Sequence, residues 1–260
     1  MKLIIIGAGL GGLTAGLALR RAGFDVEVHE SAPVLGEVGA GLTLSRGAQS
    51  VFRALGIQDR VAAFACRSAS LPFMHYRSGA VLAGAYDNSI GQPDDGLADV
   101  ARQIHRADLH RVLVEAFAES GPGVVTDHKL VTIRQDTKQV TAEFANGYLA
   151  TGDVLIGADG VRSVVRDKLI SSDQPRFTGQ LAYRFLVPAQ TAAPFMGSGR
   201  SGVYIGPKRT FNRYTLRGGA VVNCVGIVAS DTWTDEGWST PATIAEIQQA
   251  FADCTRMFWG

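Results

Sequence analysis

The stretch KLIIIGAGLGGL, residues 2–13, decides the fold. Met1 to Ile6 is a short apolar run cut off by glycine, the pattern of a strand buried on both faces of a parallel sheet. Leu13 to Ala22 is rich in Leu, Ala and Arg and stops at Gly23, which reads as a helix with its C-terminal glycine. Phe24 to Glu30 sets Val26 and Val28 between polar residues, a second strand, and the three segments make a βαβ unit. Between the first strand and the helix, Gly7, Gly9 and Gly12 form a G-x-G-x-x-G, with Leu10 and Gly11 filling the turn. Gly7 allows the tight turn, Gly9 lets the backbone approach a pyrophosphate, and Gly12 lets the helix sit close to the strand. The free N–H groups and the helix dipole then face the phosphates. Glu30, about twenty residues on, supplies the acid that holds a ribose. A glycine-rich turn without ligand is the bland alternative; motif, context and acid together favour a dinucleotide.

A second motif narrows the nucleotide. The run DVLIGADGVRSVVR, residues 153–166, is a strand that ends in Asp159-Gly160 and opens a helix carrying Arg162, Ser163 and Arg166. On a plain strand–turn–helix reading Asp159 merely caps. The run resembles the "DG" fingerprint of the flavoprotein aromatic hydroxylases, the p-hydroxybenzoate and salicylate hydroxylase family. QIHRADLHRVL, residues 103–113, resembles that family's R-x-x-L segment with Arg106 as the matching arginine, although a solvated arginine before an amphipathic helix would look the same. EVGAGL, residues 37–42, resembles the loop after the ribose acid.

The resemblance implies FAD as cofactor. It implies contacts from the glycine turn, Glu30, Arg106 and Asp159, from backbone near Gly41 to the isoalloxazine, and from backbone at Leu130 to the adenine. It extends through Tyr183-Arg184, GPKRTFNRYTLRGG at 206–219 and Val222-Asn223, which resemble the sheet covering the flavin in salicylate and hydroxynicotinate hydroxylases. Thr43 and Arg184 fall on the substrate side. Tyr214 matches a tyrosine to which proton transfer from the ring hydroxyl is assigned in the hydroxynicotinate pattern. A phenol with an ordinary pKa of about 10 needs help to act as a base at neutral pH, so Tyr214 stands equally as a donor orienting substrate or as a packing tyrosine. Three departures matter: Thr43 and Thr210 stand where relatives carry histidines, Ser31 follows Glu30 where a basic residue is common, and no counterpart of the family's later "GD" motif is present. Ending at Phe258-Trp259-Gly260, the chain reads as the front part of a family member.

The implied reaction is reduction of FAD by NADH or NADPH as co-substrate, reaction with dioxygen, and transfer of one oxygen to a small, electron-rich aromatic ring. Another flavin enzyme on the same scaffold, or a flavin-binding protein without catalysis, are the rivals. Composition agrees with small-molecule partners: 25 basic against 24 acidic side chains give no field that favours nucleic acid or an acidic membrane. Cys66, Cys224 and Cys254 fit neither a disulfide framework nor a zinc site, the five histidines show no metal spacing, and no G-x-S-x-G appears. No signal peptide or membrane span is read, so a cytoplasmic protein is expected; oligomeric state stays open, a homodimer included.

The expected fold class is mixed α/β: an FAD-binding, Rossmann-like parallel sheet with an interleaved, mostly antiparallel substrate-domain sheet. The cofactor part takes 1–72 and 101–175, with the DG motif in the latter. Residues 73–100 are a substrate-domain insertion, and 176–260 its antiparallel sheet with the start of a helix. Leu130 to Ile133 and Val140 to Phe144 read as antiparallel strands with Asn146-Gly147 as turn chemistry, and Ala107 to Phe117 as an amphipathic helix. The last helix is placed after a Ser239-Thr240 cap with Pro241 in its first turn.

Overall fold

The computed structural model describes residues 1–36, 39–67, 71–86, 102–196, 201–231 and 240–254. Glu37 and Val38 of the loop before Gly41, residues 87–100 of the expected insertion, Ser239, and Phe258-Trp259-Gly260 lie outside the described residues. In chain order the elements are β1 (Lys2–Ile6), α1 (Leu10–Arg21), β2 (Asp25–His29), β3 (Gly41–Leu44), α2 (Arg46–Ala54), α3 (Gln58–Phe64), β4 (Cys66–Arg67), β5 (Leu71–His75), β6 (Val81–Tyr86), β7 (Arg102–His105) and α4 (Arg106–Glu119). They continue with β8 (Leu130–Gln135), β9 (Val140–Phe144), β10 (Leu149–Gly152), β11 (Val154–Gly157), α5 (Val164–Leu169), β12 (Gln180–Pro188), α6 (Ala189–Ala192), β13 (Gly202–Gly206), β14 (Arg209–Leu216), β15 (Val221–Ala229) and α7 (Ile244–Ala250). The chain divides into two compact units.

The first unit comprises Met1–Glu37, Leu55–Ile57 and Ala107–Arg176. Its parallel sheet has the order β11-β1-β2, with Ile4 beside Leu155 and Glu27. An antiparallel sheet, β10-β9-β8, contributes Leu130, Ala142, Phe144 and Ala150 to a core shared with Ile4, Ile6 and Val165. The α1 helix begins at Leu10, three residues before the sequence reading places it, because Gly11 and Gly12 belong to its first turn in spite of their poor helix propensity. At Gly16 a side chain would collide with Phe117 of α4, 2.8 Å from a Cβ placed there. Arg20 fastens the same junction: it donates to the carbonyls of Phe117 (2.8 Å), Val26 (2.8 Å) and Pro122 (2.6 Å) and lies 3.6 Å above the Phe117 ring.

The second unit comprises Val38–Ala54, Gln58–Arg106 and Phe177–Gly260. Its main sheet runs β12-β15-β14-β13-β5-β6; every pairing is antiparallel except β13 with β5. A small antiparallel sheet has the order β3-β7-β4. Strand pleating sends alternate residues to opposite faces of the main sheet. Tyr204, Phe211 and Cys224 face a core closed by Phe251, while Tyr214 and Asn223, neighbours of those residues in sequence or register, take the other face.

Phe251 is 1% exposed, stands edge-on to Phe211 at 5.8 Å between ring centres, and occupies the space that glycine leaves at Gly226. Phe251→Ala is therefore expected to destabilise by about 3–5 kcal/mol, through lost transfer free energy and the cavity left behind; denaturant unfolding measures it. The approach to this residue corrects the sequence reading. The cap of α7 is Thr243, whose hydroxyl accepts the Glu246 N–H (3.2 Å) while Glu246 accepts the Thr243 N–H (2.6 Å), and Pro241 lies before the helix instead of in its first turn. A reciprocal capping box satisfies two end N–H groups, which the Ser239-Thr240 arrangement would not. No helix among the described residues is long and apolar enough to cross a membrane.

Candidate functional site

The glycine turn of the first unit and the turn after β11 lie side by side. The Ala158 N–H donates to the Ile6 carbonyl at 2.7 Å, and a side chain on Gly7 would run into the Ala158 carbonyl and come within 3.1 Å of the Asp159 Cα. Gly7 also takes φ +103°, a conformation that favours glycine, and donates its N–H to the His29 carbonyl at 2.7 Å. Gly12 has no alternative either, since a Cβ there would overlap the Gly7 carbonyl oxygen. At Gly9 and Gly11 the situation is reversed: a Cβ would meet nothing within 4 Å. Gly9 caps α1 without any side-chain hydrogen bond, and no acidic residue stands in the first turn. Open space in front of a helix N-terminus that no side chain caps is what a pyrophosphate needs.

Glu30 closes the other side of this turn. Its Oε2 accepts the Ala8 N–H at 2.8 Å, and its Oε1 accepts from the Ala32 N–H and the Ser31 hydroxyl, both at 2.9 Å. Burial alone would push the carboxyl up, but the N–H groups of Ala32 and Ala8 and the Ser31 hydroxyl outweigh it and hold the group below its ordinary value. Glu30 is thus an ionised acceptor at neutral pH, suited to a ribose hydroxyl. Its stabilising contribution is full above the ordinary value of 4.5 and is lost as pH falls through the lowered folded value. Glu30→Ala is expected to lose about 1.5–3 kcal/mol at pH 7, the worth of hydrogen bonds to a charged group, and progressively less as pH falls below the ordinary value of 4.5. Thermal melts of both proteins across that range check it.

Asp159 is a helix cap in this structure. Its Oδ1 accepts from the Ser163 hydroxyl at 2.5 Å, and its Oδ2 from the N–H groups of Val164 (2.7 Å) and Val165 (3.1 Å). These bonds tie the second turn to the start of α5. Leu130, the expected adenine neighbour, is buried in β8, and Leu10 is the first residue of α1. One residue escaped the sequence reading: His110, buried on α4, hydrogen-bonds the Ala8 carbonyl through Nε2 at 2.8 Å. A carbonyl only accepts, so Nε2 carries the proton and supports the glycine turn from beneath. A histidine inside an amphipathic helix gives no pattern that would reveal this.

The second unit gathers Gly41, Thr43, Arg106, Arg184 and Tyr214. Gly41 opens β3 and donates its N–H to Asn223 Oδ1 at 2.7 Å. A Cβ on Gly41 would lie 2.5 Å from the Tyr214 ring and 2.7 Å from its hydroxyl, so only glycine lets this strand approach the tyrosine. Tyr214 is 7% exposed. Burial pushes its phenol up to about 12, against the opposing pull of a hydrogen bond with the Thr43 hydroxyl and the charge of Arg184. At neutral pH it keeps its proton and donates.

Arg106 starts α4, and its N–H donates to the Ala40 carbonyl at 3.0 Å. Burial lowers its guanidinium, and the nearby positive charge of Arg184 lowers it further. Two guanidiniums close enough to repel, with a phenol donor beside Arg184, suit an anionic oxygen ligand. Asn223, and His105 packed where a side chain on Gly39 would stand, are further members that the sequence reading did not single out as site residues. The described residues contain no group of three His, Cys, Asp or Glu side chains able to hold a metal ion.

Comparison with known proteins gives the family. The FAD binding domain family matches residues 1–198. The 3-hydroxybenzoate 6-hydroxylase of Polaromonas naphthalenivorans (strain CJ2) is 35% identical over 260 residues, covering 96% of this chain and 62% of the relative. The 6-hydroxynicotinate 3-monooxygenase of Pseudomonas fluorescens is 32% identical over 188 residues, covering 72% and 48%. In fold, the Klebsiella pneumoniae HpxO crystal structure, complexed with FAD and uric acid, superposes with a TM-score of 0.83 at 24% identity, over 99% of this chain and 63% of that one. The chain spans about three fifths of the length of the curated hydroxylase, 62%. With the family matched over 198 of 260 residues, and with its two glycine-bearing turns set against each other, the chain belongs to the FAD binding domain family.

Proposed function

We propose that the first unit binds the nucleotide part of FAD. As part of the whole protein, the chain then hydroxylates a small aromatic ring bearing a hydroxyl or carboxylate, with NADH or NADPH and dioxygen as co-substrates. The observation that carries the cofactor reading is the pairing of an open, uncapped α1 N-terminus at Gly9 with the ionised Glu30 carboxylate on the same turn. The named hydroxybenzoate and hydroxynicotinate relatives support the ring chemistry.

When bound, FAD supplies the electron transfer and oxygen activation. The chain's own residues position and polarise. Gly9 and Gly11 admit phosphate to the helix N-terminus, and Glu30 accepts from the ribose. On the second unit Arg184 pairs with an anionic group of the substrate, Thr43 steadies the Tyr214 hydroxyl, and the Tyr214 Oη–H donates to the ring's oxygen, while Arg106 keeps the cofactor contact that the family resemblance implies. Hydrogen bonding there orients the ring and favours the ionised form of its hydroxyl, and that form, once its proton has passed to solvent, carries more electron density at the adjacent carbon. Three cysteines without disulfide partners fit a reducing compartment, and we place the protein in the cytoplasm on that ground.

The test uses the protein encoded by the complete reading frame that contains this chain. NAD(P)H oxidation is expected to accelerate on adding a hydroxybenzoate, with one hydroxylated ring formed per reductant consumed. Oxidation that ignores every hydroxybenzoate, or that yields no hydroxylated product, contradicts the proposal.

A further inference from the structure

Asn223 lies in β15 with 0% of its surface exposed. It is paired in register with Tyr214 on β14 and with Leu186 on β12. Residues directly opposite on paired strands share a face, so the Asn223 amide and the Tyr214 phenol stand next to each other on the face turned away from Phe211. Both crowd Gly41: a Cβ there would lie 2.7 Å from the Tyr214 hydroxyl and 2.9 Å from the Asn223 Cγ.

The amide's orientation is settled by its partner. The Gly41 N–H can only donate, so the amide atom that meets it at 2.7 Å is the oxygen. Nδ2 is left with two hydrogens, no access to solvent and no hydrogen-bond partner among the described residues. A buried amide donor without an acceptor is costly, and an apolar side chain of similar shape would avoid the penalty. An Oδ1 clamp on one side and a vacant donor on the other, beside a tyrosine hydroxyl, is the arrangement of a group that waits for an acceptor.

We propose that Asn223 is a positioning residue for the ring substrate: Oδ1 holds Gly41 against the Tyr214 ring, and Nδ2 donates to the hydroxyl or carboxylate oxygen that the substrate presents beside Tyr214. This rests on the aromatic hydroxylase reading above. An oxygen that accepts from both Tyr214 Oη and Asn223 Nδ2 bears more negative charge than one held by the phenol alone, so the amide also favours the ionised form of the ring oxygen.

The decisive variant is Asn223→Asp in the FAD-loaded protein of the complete reading frame, with 3-hydroxybenzoate as probe. The carboxylate keeps an acceptor for the Gly41 N–H and deletes the donor. FAD retention is expected to match that of the unaltered protein, while KM, and Kd from the flavin absorbance change, rise about tenfold to a hundredfold. The expected fall in kcat is under tenfold. The defect should shrink as pH is lowered, because a protonated carboxyl regains an O–H donor; an unchanged melting temperature and FAD retention at neutral pH separate it from a structural loss, which low pH would relieve as well. Asn223→Ala, which buries no charge, guards against a folding failure of the first variant and is expected to raise KM at least as far. Substrate affinity within twofold of the unaltered protein in both variants, or loss of FAD in place of loss of 3-hydroxybenzoate, overturns the assignment. If instead the unaltered protein neither retains FAD nor responds to 3-hydroxybenzoate, the hydroxylase reading itself falls and the substrate role of Asn223 with it.

Discussion

Gly12→Ala is expected to unfold or severely destabilise the first unit, whereas Gly9→Ala is expected to leave it folded and unable to hold FAD. The two glycines belong to one motif, but their surroundings differ. A Cβ at Gly12 would overlap the Gly7 carbonyl oxygen, which is backbone in a turn already pressed against Ala158, so neither partner can give way. Overpacking usually costs about 1–3 kcal/mol when side chains adjust; with backbone on both sides the expected cost is at least about 3 kcal/mol. For a unit of this size that lowers Tm by about 10 °C. At Gly9, by contrast, φ is −67° and a Cβ meets nothing within 4 Å, so alanine fits the apo fold. The added methyl group then occupies the space through which the pyrophosphate must reach the α1 N–H groups. Melting curves and FAD titrations of the two variants separate the effects. Equal Tm values for Gly12→Ala and the unaltered protein would show that the turn is looser than described.

Tyr214→Phe is expected to lower kcat by about a hundredfold or more, the range over which a positioned proton-bearing group acts. The substitution keeps the ring that packs on Gly41 and removes only the hydroxyl that meets Thr43. Stability should therefore change little while turnover collapses. The direction of the pH dependence follows from the phenol being pushed up to about 12. Between pH 6 and 9 the hydroxyl remains protonated, so kcat of the unaltered protein should show no inflection from this residue. The raised value also means that the folded state favours the neutral phenol. The associated stability is full below its ordinary value of 10.0 and is lost as pH rises from there through about 12. A kcat–pH profile and an alkaline melt of both proteins check the two statements; an inflection near neutrality that vanishes in Tyr214→Phe would make the tyrosine a base instead of a donor.

The parts of the fold that were legible in sequence share a physical cause. A strand buried on both faces, a glycine turn with fixed spacing and an acid at the next strand's end each constrain residue type at a given position, so 2–30 and 153–166 could be read directly. The mostly antiparallel sheet expected toward the end of the chain is present, and alternation in β12 and β15 follows from pleating, which sets one face against Phe211 and Phe251. By contrast α2 buries only Gln49 and Phe52, too few apolar positions to show a helical period, and β3, β4 and β7 are strands of two to four residues. The cap of α7 was misplaced because Ser239-Thr240-Pro241 carries cap-like residues, whereas the reciprocal Thr243–Glu246 pair decides the start.

The site was legible where chemistry rests on backbone conformation and hidden where it rests on one polar side chain in apolar company. Gly7 and Gly12 are required by contacts that a motif encodes. Asn223 stands among valines in β15, and His110 sits within an amphipathic helix, so neither disturbs its local pattern. Asp159 illustrates a motif with two compatible readings: its hydrogen bonds to Ser163, Val164 and Val165 hold the start of α5, and the cofactor contact that the family resemblance implies stays an expectation.

The most direct test of the central claim, that the Gly7–Gly12 turn and the turn at Asp159 together grip one flavin nucleotide, is equilibrium binding of FAD to the protein of the complete reading frame. Flavin fluorescence titration followed by gel filtration reads it. One FAD retained per chain, lost in Gly9→Ala without loss of fold, is the expected result. A folded protein that retains no flavin at any FAD concentration contradicts it.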